Sequence, residues 1–306
     1  MNNLPEQPLS DNPVSEPFPT RPKFWRWILG TFIILFSWLI IGGLFTIIVA
    51  EIFDLDLAVL TGADDESLAL LRNYAPWQAA SAVLISFIPL LVAPILLHRF
   101  LLKGRVKELF TRSGRSFARE VRIGALVMLA LIFFSTLPDF IFNNSDYKWS
   151  FDLAKFLPYL VIALLLIPMQ TTAEEVFYRG WIQQRLEKGN RSIWLVSTIG
   201  GLLFALPHLA NPEVSGNIAL PVIGYGATGF MLTWVTMRDK SMGLAVGAHA
   251  ANNIAAGLLV SSVDSALPSA SLYVTPEVSW GPAAIVSVLF IPLFIWLTRK
   301  WNDKVA

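Results

Sequence analysis

Adjacent carboxylates, Glu174 and Glu175, close an apolar run in a chain whose other ionisable residues at apolar positions include His208 and His249. An ionised side chain in hydrocarbon costs roughly 3 kcal/mol even on lenient insertion scales, so such a set needs a reason, and a buried reaction centre supplies one. In the run Met169, Gln170, Thr171, Thr172, Ala173, Glu174, Glu175, Val176, Phe177, Tyr178, Arg179, no residue breaks a helix, so the polar cluster is read as helical. Neighbouring helix residues diverge by about 100°, which predicts that the two carboxylates point to different places, whereas Glu175 and Arg179, four apart, share a face and can pair. The expected division is that Glu174 faces the reaction centre while Glu175 and Arg179 hold the orientation of the helix. Taken alone, a Glu-Glu-x-x-x-Arg run is also what an ordinary solvated helix end looks like.

His208 falls where it can meet Glu174. The turn near Gly189 and Asn190 leaves similar lengths of chain back to Glu174 and forward to His208, and in antiparallel helices that is nearly equal depth. Pro207 lacks a backbone donor and disfavours helix for Leu206, so the helix should kink or stop beside the imidazole. His249 and Asn253, again four apart, share one stripe of a later helix that starts after Asp239 and Lys240. To bring His249 to the same depth, the preceding hairpin must extend about 10 Å beyond the membrane. The small residues Gly243, Gly247, Ala248 and Ala251 let neighbouring helices approach closely there. Asn252 ranks below Asn253 and reads as a packing residue.

A carboxylate, two imidazoles and an amide suit hydrolysis of an acyl bond: the carboxylate takes a proton from water, and imidazole or amide donors stabilise the oxyanion. Glu174, His208 and His249 could instead hold zinc with water in an open fourth position, and spacing does not decide between the two. No His-Glu-x-x-His pair is present, and with no cysteines thiolate catalysis and disulfides are excluded. Gly224, Gly226 and Gly229 fit a dinucleotide fingerprint only by spacing; they lie in an apolar span with no preceding strand and read as packing glycines. A net charge of +1 gives no reason to expect a nucleic-acid partner.

These side chains must be carried by membrane helices. In 306 residues, 55% are hydrophobic and 15% charged, and the mean hydropathy is +0.58, the composition of an all-α polytopic membrane protein. Eight windows approach the about 20 apolar residues that span a bilayer: 24–50, 77–97, 123–142, 157–177, 193–208, 218–237, 242–261 and 283–297. Pro138 and Asp139 suggest an irregular end to the third. Residues 1–22, rich in Pro, Asn, Ser and Glu, read as a disordered tail before one transmembrane domain over 23–306. The first apolar window is too long for a signal-peptide core, so no cleaved leader is expected. Basic residues crowd the exits of the even-numbered windows and acidic ones the 51–75 loop, which places both termini in the cytoplasm. The segment Lys103 to Arg122 fits an interfacial helix on anionic lipid and a solvated basic loop equally well. No internal repeat is visible, which weighs against a proton-coupled transporter.

The three parts Glu174-Glu175-x-x-x-Arg179, Phe204-x-x-x-His208 and His249-x-x-x-Asn253 resemble, in order, the pattern of the CPBP intramembrane proteases, also called the Abi or CAAX prenyl-endopeptidase family. The resemblance covers residues 157–259. It implies a helical membrane endopeptidase with a cavity open to the cytoplasm, in which Glu174 and His249 activate water, His208 and Asn253 form the oxyanion site, and Glu175, Arg179 and Phe204 support them. A metal-free mechanism is preferred, with zinc on Glu174, His208 and His249 as the alternative. Expected partners are membrane lipids and a peptide or protein substrate, lipidated in eukaryotic members; the expected location is a bacterial plasma membrane. A non-catalytic immunity or scaffold role is the other reading within the family.

Overall fold

The computed structural model describes residues 24–302 apart from 63, 190, 215 and 217, so the tail expected over 1–22 lies outside the described residues. Among the described residues eight long helices follow one another: α1 (Phe24–Ile52), α2 (Pro76–Phe100), α3 (Phe117–Phe142), α4 (Leu153–Leu186), α5 (Ile193–His208), α6 (Ala219–Asp239), α7 (Gly243–Leu258) and α8 (Trp280–Asn302). Each apolar window coincides with one of them. Six are long and apolar enough to cross a membrane, whereas α5 and α7, at 16 residues each, extend about 24 Å. The chain is an all-α polytopic membrane protein.

Two local expectations are corrected. Pro138 does not disturb α3, which runs unbroken to Phe142; the Asp139 carboxylate beside it accepts from Asn143 Nδ2 and from the Tyr147 hydroxyl. The basic segment 103–122 is not one continuous helix or loop. It forms a five-residue helix, Val106–Phe110, with Leu109 buried beneath it, is then clipped to the α6–α7 turn, and from Phe117 begins α3. There Arg112 N donates to Lys240 O at 2.7 Å and Met242 N to Phe110 O at 3.0 Å, while Thr111 pairs with Ser241.

The loops sort by charge onto two ends of the bundle. At the basic end Arg112 meets Glu187 at 2.6 Å, Arg115 meets Glu120 at 2.8 Å, and Arg238 reaches Thr298 of α8. The start of α1 is there too, with the Arg185 guanidinium 4.8 Å from the Phe24 ring. At the acid-rich end three short strands, β1 (Lys148–Trp149), β2 (Val260–Ser262) and β3 (Tyr273–Thr275), form a sheet in the order β1-β3-β2. Lys148 opposes Val274 in the antiparallel pair, and Ser261 opposes the same residue in the parallel one.

Helix α7 is buried along most of its length because its neighbours can come close. A Cβ on Gly247 would overlap the Val121 carbonyl of α3, and one on Gly124 would overlap the Leu244 carbonyl of α7. Small residues at such contacts are how helices gain van der Waals packing in lipid, where no hydrophobic gradient drives them together. The same reasoning explains Gly229 of α6, where a Cβ would lie 2.6 Å from the Phe204 Cβ. That approach sets Phe204, and with it α5, against the polar cluster of α4.

Candidate active site

Glu174 and Glu175 end the α-helical part of α4, and over Val176–Gln183 the same helix widens to π geometry. Such π segments are uncommon and often occur at functional sites. With 34 residues, α4 is about 51 Å long if straight, more than the about 30 Å of a bilayer's hydrocarbon.

Arg179 and Glu175 are both fully buried and pair at 3.0 Å through Arg179 Nη1 and Glu175 Oε1. Arg179 Nη2 also donates to Gly229 O at 3.1 Å, and its guanidinium lies 4.9 Å from the Phe204 ring centre. Buried ionic groups survive only when paired and hydrogen-bonded, and this pair has both supports. Glu175 does more than hold Arg179, because the same Oε1 lies 2.8 Å from His249 Nδ1.

The other ring nitrogen of His249 lies 3.6 Å from Glu174 Oε2. The two carboxylates therefore converge on one imidazole, one at each nitrogen, where helical phase alone predicts that they point apart. The 100° separation fixes where side chains leave the backbone; two long Glu side chains can still bracket a ring that presents a nitrogen on each side. Glu175 Oε1, paired with Arg179, faces Nδ1, so a proton on Nδ1 suits that contact, and Nε2 is the nitrogen turned toward Glu174.

Glu174 is held from behind. Gln170, one turn earlier and buried, donates through Nε2 to Glu174 Oε1, and its own Oε1 accepts from Asn253 Nδ2 at 3.3 Å. Asn253 Oδ1 in turn accepts from Asn252 at 3.2 Å. Among the described residues Glu174 Oε2 has no hydrogen-bond partner. Gln170 carries no assigned role in the sequence reading; a lone amide four residues before Glu174 in an apolar run was the available signal.

Helix α5 stops at His208, one residue past Pro207, as the proline predicts. His208 Nδ1 lies 2.7 Å from Phe204 O, a carbonyl that can only accept, so Nδ1 is protonated and Nε2 is the nitrogen left over. The imidazole sits between two rings, Phe204 at 4.6 Å and Tyr225 at 4.5 Å between centres. Tyr225 is itself fixed by its hydroxyl, which donates to Glu213 at 2.6 Å.

Glu174 and His208 line one cavity of about 480 Å³, with Tyr178 and apolar walls from α1, α2, α4 and α5, among them Leu35, Trp38 and Leu206. That volume is within the range of ligand sites. Among the described residues, helices α1 and α5 make little contact with each other on either side of it. His249 and Asn253 are behind Glu174 rather than on the cavity wall. Phe204, 5.5 Å from the His249 ring and in contact with His208, links the two imidazoles.

The zinc alternative asks Glu174, His208 and His249 to converge on one point. Among the described residues no group of three or more His, Asp or Glu side chains is arranged to hold a metal.

The fold and the site together define a helical membrane protein whose cavity meets a buried carboxylate braced by an imidazole, an amide and an ion pair. Residues 154–255, which hold all of the singled-out side chains, match the family described as Type II CAAX prenyl endopeptidase Rce1-like. The chain is also 28% identical to an uncharacterized protein, YyaK, of Bacillus subtilis (strain 168), over 96% of its own length and 98% of the relative's. No solved structure matches it.

Proposed function

We propose that this protein is an intramembrane endopeptidase that cleaves a membrane-associated peptide or protein with a water activated by Glu174. The observation that carries the reading is the Glu174 carboxylate: the residue lines a cavity shared with His208, Gln170 occupies one of its oxygens, and the other is buried without a hydrogen-bond partner, 3.6 Å from His249 Nε2 behind the cavity wall. A water that enters from the cavity can donate a proton to the Glu174 carboxylate, which His249 backs from the protein side. As its oxygen attacks the scissile carbonyl, Glu174 takes the proton and later passes it to the amide nitrogen as the C–N bond breaks, giving an acid and an amine. Glu175, neutralised by Arg179, keeps His249 in the tautomer that leaves Nε2 open.

His208 supplies the oxyanion contact through Nε2, which donates only when the ring is protonated on both nitrogens. Asn253 is committed to Gln170 and Asn252, so its part is to position Glu174 through Gln170. The apolar walls of the cavity suit an apolar or lipidated segment arriving within the bilayer. The expected setting is a bacterial plasma membrane with the basic end in the cytoplasm.

Glu174→Gln tests this in proteoliposomes against peptides that accumulate uncleaved in cells carrying the same variant. Loss of the general base should lower turnover by about 10² to 10⁴ while the melting transition persists. Turnover within threefold of wild type would refute the assignment. The reading includes no metal step; stoichiometric zinc in active protein, lost together with activity on chelation, would overturn that part.

A further inference from the structure

The acid-rich end breaks its own charge rule at one place. Across residues 51–75, 139–156, 209–218 and 259–280 the chain carries a dozen carboxylates and three cations, Arg72, Lys148 and Lys155. They come from three different segments: the approach to α2, strand β1 and the first turn of α4. All three nevertheless line one cavity of about 430 Å³. Among the described residues none of the three forms an ion pair, and Arg72 makes a 3.4 Å hydrogen bond to Val263 O.

The rest of the wall suits an anion. Asp152 is its carboxylate, and its Oδ1 is engaged at the start of α4, accepting from Ala154 N at 2.9 Å. Ser262 and Ser269 also line the cavity, and among the described residues their hydroxyls have no hydrogen-bond partner. Three cations and two unspent hydroxyl donors around one space offer charge and hydrogen bonds to a group with several anionic oxygens.

We propose that this cavity is a binding site for a phosphate-bearing ligand, held by Arg72, Lys148 and Lys155. A phosphate has the several acceptor oxygens this arrangement can satisfy, and the volume leaves room for the glycerol or sugar that carries it. Two sources share that chemistry, the headgroup of a phospholipid in the adjoining leaflet and a soluble phosphate ester. The site is separate from the cavity of Glu174, and its existence does not depend on the peptidase reading.

The test uses the full chain and two probes, glycerol 3-phosphate added to detergent-purified protein and phosphatidylglycerol in phosphatidylcholine nanodiscs, with retained lipid counted by native mass spectrometry. The triple variant Arg72→Gln/Lys148→Gln/Lys155→Gln should lose at least tenfold in affinity for the binding probe. The control Lys107→Gln/Arg119→Gln/Arg122→Gln, the same charge loss at exposed positions of the basic end, should stay within twofold of wild type. Binding of glycerol 3-phosphate assigns a soluble ester; phosphatidylglycerol retention without it assigns the lipid headgroup. Should the triple variant lose its melting transition, Lys148→Gln and Lys155→Gln singly should each weaken binding at least threefold. Equal affinity of variant and wild type, an equal loss in the control, or no binding of either probe would overturn the proposal.

Discussion

Replacing Arg179 by methionine should destabilise the protein more than any other single change near the site. The guanidinium is fully buried, pairs with the equally buried Glu175 at 3.0 Å, and reaches Gly229 O at 3.1 Å. Methionine keeps much of the packing volume but leaves a carboxylate without its countercharge, and breaking a buried pair from one side costs about 3–5 kcal/mol. At 25 °C that is roughly two to three and a half decades in the unfolding equilibrium. Removing both charges, as Glu175→Gln/Arg179→Met, takes away the orphaned carboxylate as well, so the double variant should recover about 2 kcal/mol or more of the loss. Reversible unfolding by sodium dodecyl sulfate in mixed micelles, applied to wild type, both single variants and the double, gives the coupling directly. An Arg179→Met cost below about 1 kcal/mol, or strict additivity of the two substitutions, would show that the pair is not held as its geometry implies.

Gln170→Leu removes the donor to Glu174 Oε1 and the acceptor for Asn253, and should lower kcat about tenfold to a hundredfold with KM little changed; a rise in KM alone would contradict a positioning role. Gly247→Ala places a methyl group against the Val121 carbonyl, so α3 and α7 must separate at a cost of about 1–3 kcal/mol in the same unfolding assay, whereas Gly226→Ala, which meets no atom, should cost much less. Tyr147 is pushed above the ordinary phenol range by burial and by its hydrogen bond to the Asp139 carboxylate. Its contribution to stability is therefore complete below the unfolded phenol's pKa and is lost as pH rises through that range and beyond. Tyr147→Phe should flatten this alkaline decline, and an unchanged pH profile would count against the bond.

Much of the site can be read from the chain because depth along antiparallel helices is arithmetic. Counting from the turn near Gly189 places Glu174 and His208 together, and the i,i+4 rule pairs Glu175 with Arg179. What the same arithmetic misses is reach. Glu174 and Glu175 leave the helix in different directions yet bracket His249 from both sides, since side-chain length and the two ring nitrogens do not enter a helical wheel. Gln170 is quiet for a related reason: an amide within an apolar run has no charge to demand explanation, and its use depends on Asn253 from another helix. Strands of two or three residues carry no period-two signal, so the sheet at the acid-rich end is invisible before the fold exists. Pro138 misleads because a membrane helix can absorb a proline where neighbouring groups satisfy the freed carbonyl.

The wide-bore stretch over Val176–Gln183 also bears on how this chain can change by insertion and deletion. An extra residue accommodated in a helix resets the angular phase of everything after it. Glu174 and Glu175 lie before that reset, and the basic hairpin lies after it. Shortening the stretch by one residue would therefore rotate Gln184 and Arg185 about the axis by roughly 100° while leaving both carboxylates in register with α7. The two halves of α4 are joined by a dial, so the face turned toward the loops can be reset while Glu174 and Glu175 keep their place on the helix.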